Sequence, residues 1–186
     1  MPSIPAAIGV FPEEAGGPTG HARRDQARTL PGSTMPGPIT LHLPDLAATG
    51  RLAARLAPRL RPGDAVLLEG PLGAGKSAFA RALLRALAGD PGLEVPSPSF
   101  TLVQSYELPG GWEAHHYDLY RLSGPAEVAE LGWEEARDGL VIVEWPERLG
   151  GLRPEGALVV RLAYGAGEEE RVAVLSGWDG RMGEVG

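Results

Sequence analysis

A chain of 186 residues with 43% hydrophobic content is long enough for one substantial core and too short for two. It holds no cysteine, which removes disulfides, cysteine-ligated zinc and thiol catalysis together, and no apolar run approaches the about 18 residues of a membrane span, so a cytoplasmic location is expected. The formal charge of −7 lies wholly beyond residue 38, and so acidic a body is poorly suited to gripping nucleic-acid phosphates without a partner.

Residues 1–38 are rich in Gly, Pro and Ala with few large apolar side chains, and are expected to form a disordered extension. Met35 stands just before the first predicted strand, at 39–42, and is a candidate start of translation. Asp45 is placed to cap a helix carrying Leu46, Leu52, Ala53 and Leu56 and ending near Pro58. After the turn at 61–64, the run Ala-Val-Leu-Leu-Glu at 65–69 suits a buried parallel strand. Ala78, Phe79, Ala82, Leu83, Ala86 and Leu87 then recur at helical spacing until Gly89. Segments 101–108 and 112–119 flank Pro109-Gly110-Gly111 as a β-hairpin. Residues 125–131 and 133–137 form one broken helix or two short ones, and 140–145 returns as a strand. Segments 157–163 and 171–175 pair around an acidic, Gly-rich turn, and 176–186 is expected to be a flexible tail. Alternating strands and helices over 39–175 predict a single α/β domain.

Among sixteen arginines there is a single lysine, Lys76, inside Gly70-Pro71-Leu72-Gly73-Ala74-Gly75-Lys76-Ser77. This is a full match to the phosphate-loop pattern, with a strand entering it and a helix leaving it. The chemistry favours lysine here, because an ammonium is a compact charge on a flexible stem whereas a guanidinium is a wide planar fork. Leu72, Gly73, Ala74, Gly75, Lys76, Ser77 and Ala78 are the candidate nucleotide-binding residues.

A nucleotide phosphate site of this kind uses Mg2+, for which Ser77 offers a hydroxyl. Glu144 is the first polar residue after four apolar ones in Leu140-Val141-Ile142-Val143, where a metal-side carboxylate is expected; a strand merely reaching solvent is the alternative. Ser97, Ser99 and Thr101 lie in a proline-stiffened loop whose hydroxyls can turn toward a phosphate or metal. In His115-His116-Tyr117-Asp118, strand alternation puts His116 and Asp118 on one face and His115 on the other, which argues against zinc. Asp118 is the candidate for orienting water, with a salt bridge to Arg121 as the alternative.

The ordered segments GPLGAGKS, SPSFTLVQSYE, HHYDLYRL and ELGWEEARDGLVIVEWPERL closely resemble the TsaE family of bacterial ATPases, formerly YjeE, from about residue 39 to 175. The resemblance implies a P-loop NTPase-like three-layer fold with a mixed, largely parallel central sheet and a C-terminal β-hairpin. It implies an ATP- and Mg2+-dependent ATPase that serves the synthesis of threonylcarbamoyladenosine beside the anticodon of tRNA. Such proteins act with TsaD-like and TsaB-like partners, reach tRNA through them, and do not perform the transfer. Carried over by residue, Lys76, Asp118 and Glu144 are the expected catalytic residues, and Ser77 and Glu144 the metal ligands. Asp45, Leu46 and Glu168 are candidates for the adenine. Many relatives have threonine where this chain has Ala78 and Ser99, and phenylalanine where it has Tyr117; Ala78 lacks a hydroxyl beside the α-phosphate. A P-loop small-molecule kinase would also need an arginine-rich lid, and a GTPase an Asn-Lys-x-Asp segment for which no lysine remains. A switch that responds to nucleotide occupancy, with hydrolysis incidental, stays open.

Overall fold

The computed structural model describes residues 37–178 and Arg181. The expectations for residues 1–36, including a start at Met35, lie outside the described residues, as does most of the tail.

Among the described residues, seven strands form one mixed sheet in the order β1-β7-β6-β2-β5-β4-β3. Its centre is built from β6 (Leu158–Tyr164), β2 (Ala65–Glu69), β5 (Leu140–Glu144) and β4 (Trp112–Asp118), all parallel. Antiparallel strands close both sides: β3 (Val103–Leu108) against β4, and β7 (Arg171–Gly177) between β6 and β1 (Ile39–Leu43). The β6–β7 pair is the expected C-terminal hairpin.

Central strands are apolar on both faces because helices cover both faces. Val66, Leu68, Leu140 and Ile142 point to one side, where α1 (Leu46–Leu56) and α2 (Lys76–Ala88) pack through Leu52, Leu56, Phe79 and Leu83. Leu67, Val141 and Val143 point to the other, against Val128 of α3 (Pro125–Ala129), Trp133 of α4 (Trp133–Ala136) and Leu149 of the irregular 3-10 segment Pro146–Leu152. Three layers result. Asp45 caps α1 as expected, its Oδ1 accepting the Ala48 N–H at 2.6 Å.

Several boundaries shift from the expectations: β4 ends at Asp118 rather than 119, α3 at Ala129 rather than 131, and β6 runs one residue later than 157–163. Three further differences have local causes. The third strand starts at Val103, not 101, because a turn holds the preceding residues: Leu102 donates its N–H to Pro98 at 2.6 Å and has φ of 66°. β5 stops at Glu144, since Trp145 turns left-handed with φ of 61°. The tail assigned to 176–186 begins later than expected: β7 continues through Gly177, Trp178 is fully buried, and Arg181 pairs with Asp64 at 2.6 Å. No helix among the described residues is long and apolar enough to cross a membrane.

Candidate nucleotide site

The loop between β2 and α2 is shaped by backbone requirements that its residues meet. Gly70 has φ of 134°, and a Cβ there would stand 2.1 Å from the Leu162 carbonyl oxygen on β6. Only glycine lets the chain leave β2 so close to its neighbour. Gly75 is the N-cap of α2 at φ of 101° and brings no side chain to cap the helix. The first helical bond runs from Phe79 N–H to the Gly75 carbonyl at 2.9 Å. The N–H groups of Lys76, Ser77 and Ala78 therefore precede any intrahelical acceptor and sit at the positive end of the helix dipole. That cradle fits an anion. Ala74 is buried beneath the loop and Leu72 is exposed on its outer side, where its carbonyl accepts from Tyr164 Oη.

Lys76 is only 4% exposed. Its Nζ donates to the Gly70 and Pro71 carbonyls at 2.7 and 2.9 Å and lies 3.8 Å from the centre of the Trp145 ring. Burial pushes the ammonium below its usual pKa, opposed by the carboxylates of Glu144, Asp118 and Glu147. The carbonyl bonds are ones that a phosphate can replace by a short swing of the stem.

Glu144 ends β5 opposite the start of α2, 2% exposed. Its Oε2 accepts from Ser77 Oγ at 2.9 Å, and its Oε1 lies 2.9 Å from His116 Nε2 on β4. Parallel pairing sets Asp118 beside Glu144 in register. Asp118 Oδ2 accepts from Ser99 Oγ at 2.7 Å and its Oδ1 from the Tyr120 N–H at 3.1 Å, while Ser97 and Ser99 hydroxyls are 2.9 Å apart. Arg121 does not take the salt bridge considered for it; its guanidinium lies 4.7 Å over the Phe100 ring.

Leu72, Gly73, Gly75, Lys76, Ser77, Ala78, Ser99, Asp118, Tyr120, Glu144 and Trp145 thus line one depression. Ala74 underlies it, Ser97 reaches it only through Ser99, and Thr101 is exposed outside its lining. A second depression shares Gly75 and Ala78 with the first and is lined by Leu46, Thr49, Glu168, Glu169 and Arg171. Two of the three adenine candidates, Leu46 and Glu168, are here; Asp45 is not in the lining and serves as the α1 cap.

The paired oxygens of Ser77 and Glu144 suit Mg2+, a hard cation that takes one or two protein ligands and completes its shell with phosphate and water. Sequence reasoning gave His116 and Tyr120 no role. Tyr120 packs against Trp145 with centroids 4.9 Å apart and the rings tilted at 47°, which closes one wall. The spacing of His116, Asp118 and Tyr120, every second residue at a strand end, was the available signal.

A family model described as "Threonylcarbamoyl adenosine biosynthesis protein TsaE" matches residues 43–173. The chain belongs to the TsaE family. A relative from Nostoc, described as tRNA threonylcarbamoyladenosine biosynthesis protein TsaE, is 36% identical over 144 residues, covering 74% of this chain and 85% of that one. One of the same description from Rickettsia felis is 46% identical over 100 residues, 53% of this chain. The chain spans only 57% of the length of that TsaE relative, and 56% of the Rickettsia conorii one. The crystal structure of YdiB from Bacillus subtilis superposes with a TM-score of 0.63 at 26% identity, covering 80% of this chain and 91% of that one. TsaE membership and this likeness agree with the P-loop NTPase fold described above.

Proposed function

We propose that this protein is the ATP-binding and ATP-hydrolysing component of the bacterial machinery that installs threonylcarbamoyl on the adenosine beside the tRNA anticodon. Family membership supports the pathway. The observation that carries the ATPase reading is the Ser77–Glu144 contact at the mouth of the phosphate loop, which joins the two expected metal-side oxygens across 67 residues of sequence.

On this reading the α2 N–H groups and Lys76 hold the phosphates, with Lys76 exchanging its carbonyl partners for phosphate oxygens. Ser77 and Glu144 hold the metal, and Mg2+ supplies neutralisation of the charge on the phosphate oxygens. Asp118, steadied by Ser99 and the Tyr120 N–H, orients the attacking water, and Ser99 carries the state of the terminal phosphate into the 97–101 loop. The adenine lies toward Leu46 and Glu168. TsaD-like and TsaB-like partners in the cytoplasm contact the RNA, in keeping with the acidic charge of this chain.

The test is complementation of a cell lacking its own TsaE-like protein, with threonylcarbamoyladenosine measured in bulk tRNA. Failure of a folded, expressed protein to restore the nucleoside overturns the pathway assignment. Glu144→Gln is expected to bind ATP yet lose hydrolysis by about 100-fold or more, read by single-turnover assay. An unchanged modification cycle in that variant would favour nucleotide occupancy alone.

A further inference from the structure

We propose that His116 is a positioning residue: its Nε2–H holds the Glu144 carboxylate in the orientation that keeps Oε2 against Ser77. The proposal rests on the reading of Ser77 and Glu144 as the metal side of the site.

His116 is fully buried in the middle of β4, and its ring faces the same side of the sheet as Asp118 and Glu144. Nε2 lies 2.9 Å from Glu144 Oε1, while Nδ1 has no hydrogen-bond partner among the described residues. These two facts assign the tautomer. A proton on Nδ1 would be a buried donor with nothing to accept it, and would leave the Nε2 lone pair facing a carboxylate oxygen. With the proton on Nε2, the ring donates to Glu144 and the unpaired atom is an acceptor, the milder penalty.

The consequence falls on Glu144. A glutamate side chain has three rotatable bonds, and one contact to Ser77 leaves the carboxylate free to pivot. The second contact, from a rigid ring fixed in the sheet, commits Oε1 and leaves Oε2 presented to the hydroxyl. Outer partners of this kind orient a metal ligand, and their removal typically weakens metal affinity about 10- to 100-fold.

The test uses the full chain and two variants, with ATP binding followed by calorimetry in chelator and over a titration of MgCl2. His116→Leu is expected to raise the Mg2+ concentration for half-maximal tightening of ATP about 10- to 100-fold, while Mg2+-free ATP affinity stays within about twofold. His116→Gln, whose amide N–H reaches the place of Nε2, is expected to recover most of that loss. Nitrogen NMR of the imidazole is expected to show the proton on Nε2. A parent protein without Mg2+-dependent ATP binding would sink the site reading itself. If the parent behaves normally, the proposal alone fails on any of three results: unchanged Mg2+ dependence in His116→Leu, equal impairment in both variants, or a proton on Nδ1.

Discussion

Lys76 is confined on every side that its ammonium uses: two carbonyl oxygens within 2.9 Å and the Trp145 ring at 3.8 Å. A planar guanidinium with five donors cannot occupy that gap and still reach between phosphates. Lys76→Arg is therefore expected to lower ATP hydrolysis by about 100-fold or more although charge is conserved, a loss comparable to deleting a transition-state donor. Near-normal turnover in that variant would mean that shape matters less here than charge. Trp145 gives the same event an optical signature. An ammonium over an indole face is held by the ring quadrupole. When a phosphate draws Nζ away, Trp145 emission is expected to change on ATP addition, and Trp145→Phe to remove the change though three other tryptophans remain. A signal that persists in Trp145→Phe would place its source elsewhere.

Among the elements, β2 carries the phosphate loop, and its last residue is clamped from two directions. Glu69 Oε1 accepts from Arg153 at 2.8 Å, and Oε2 from Arg161 on β6 at 2.8 and 3.0 Å. Burial alone would raise the Glu69 pKa, but the hydrogen bonds and charges of the two arginines outweigh it and hold it below the usual 4.5. A folded-state pKa below the unfolded one means that the unfolded chain binds the proton more readily. The stabilisation is then complete above the unfolded value and fades as pH falls through the folded one. With both arginines substantially exposed, Glu69→Gln should cost only about 1 kcal/mol at neutral pH by urea unfolding, and that gap should shrink as pH falls below the unfolded value and through the lower folded one. A gap unaltered in acid would show that packing of the side chain, not its charge, matters. The same strand explains why so much of the site could be read in advance. Strand 65–69, its loop and the helix of Phe79 and Leu83 declare themselves through local apolar period and one motif. The His116–Glu144 bond links residues 28 apart and depends on which strand lies beside which. Nothing in either segment announces that neighbour. The split between α3 and α4 was half legible, because Gly132, with φ of 69°, falls where a helix could have continued.

At the scale of the whole molecule, the described sheet and core extend further toward the C-terminus than composition suggested. The pairing of β1 with β7 joins residues 39–43 to 171–175, the ends of the expected domain, and no local pattern encodes it. Ser176-Gly177-Trp178 has too few apolar residues to register as a strand, yet Trp178 is fully buried and belongs to the same core cluster as Leu56 and Leu158. Trp178→Ala should cost about 3–5 kcal/mol by urea unfolding, the range for emptying a large buried aromatic site. A loss of under about 1 kcal/mol would return this segment to the status of a tail. The strand order also bears on synthesis. β2 lies between β5 and β6, both of which come later in the chain, so it has no sheet partner when it is made. At about 5–20 residues per second, a nascent polypeptide carries this apolar strand with both edges open for several seconds, until residue 140 and beyond have left the ribosome. Premature termination between the end of α2 and the start of β5 would release a fragment in which the phosphate loop is complete in sequence, lacks its facing carboxylate, and hangs on an unpaired strand suited to self-association.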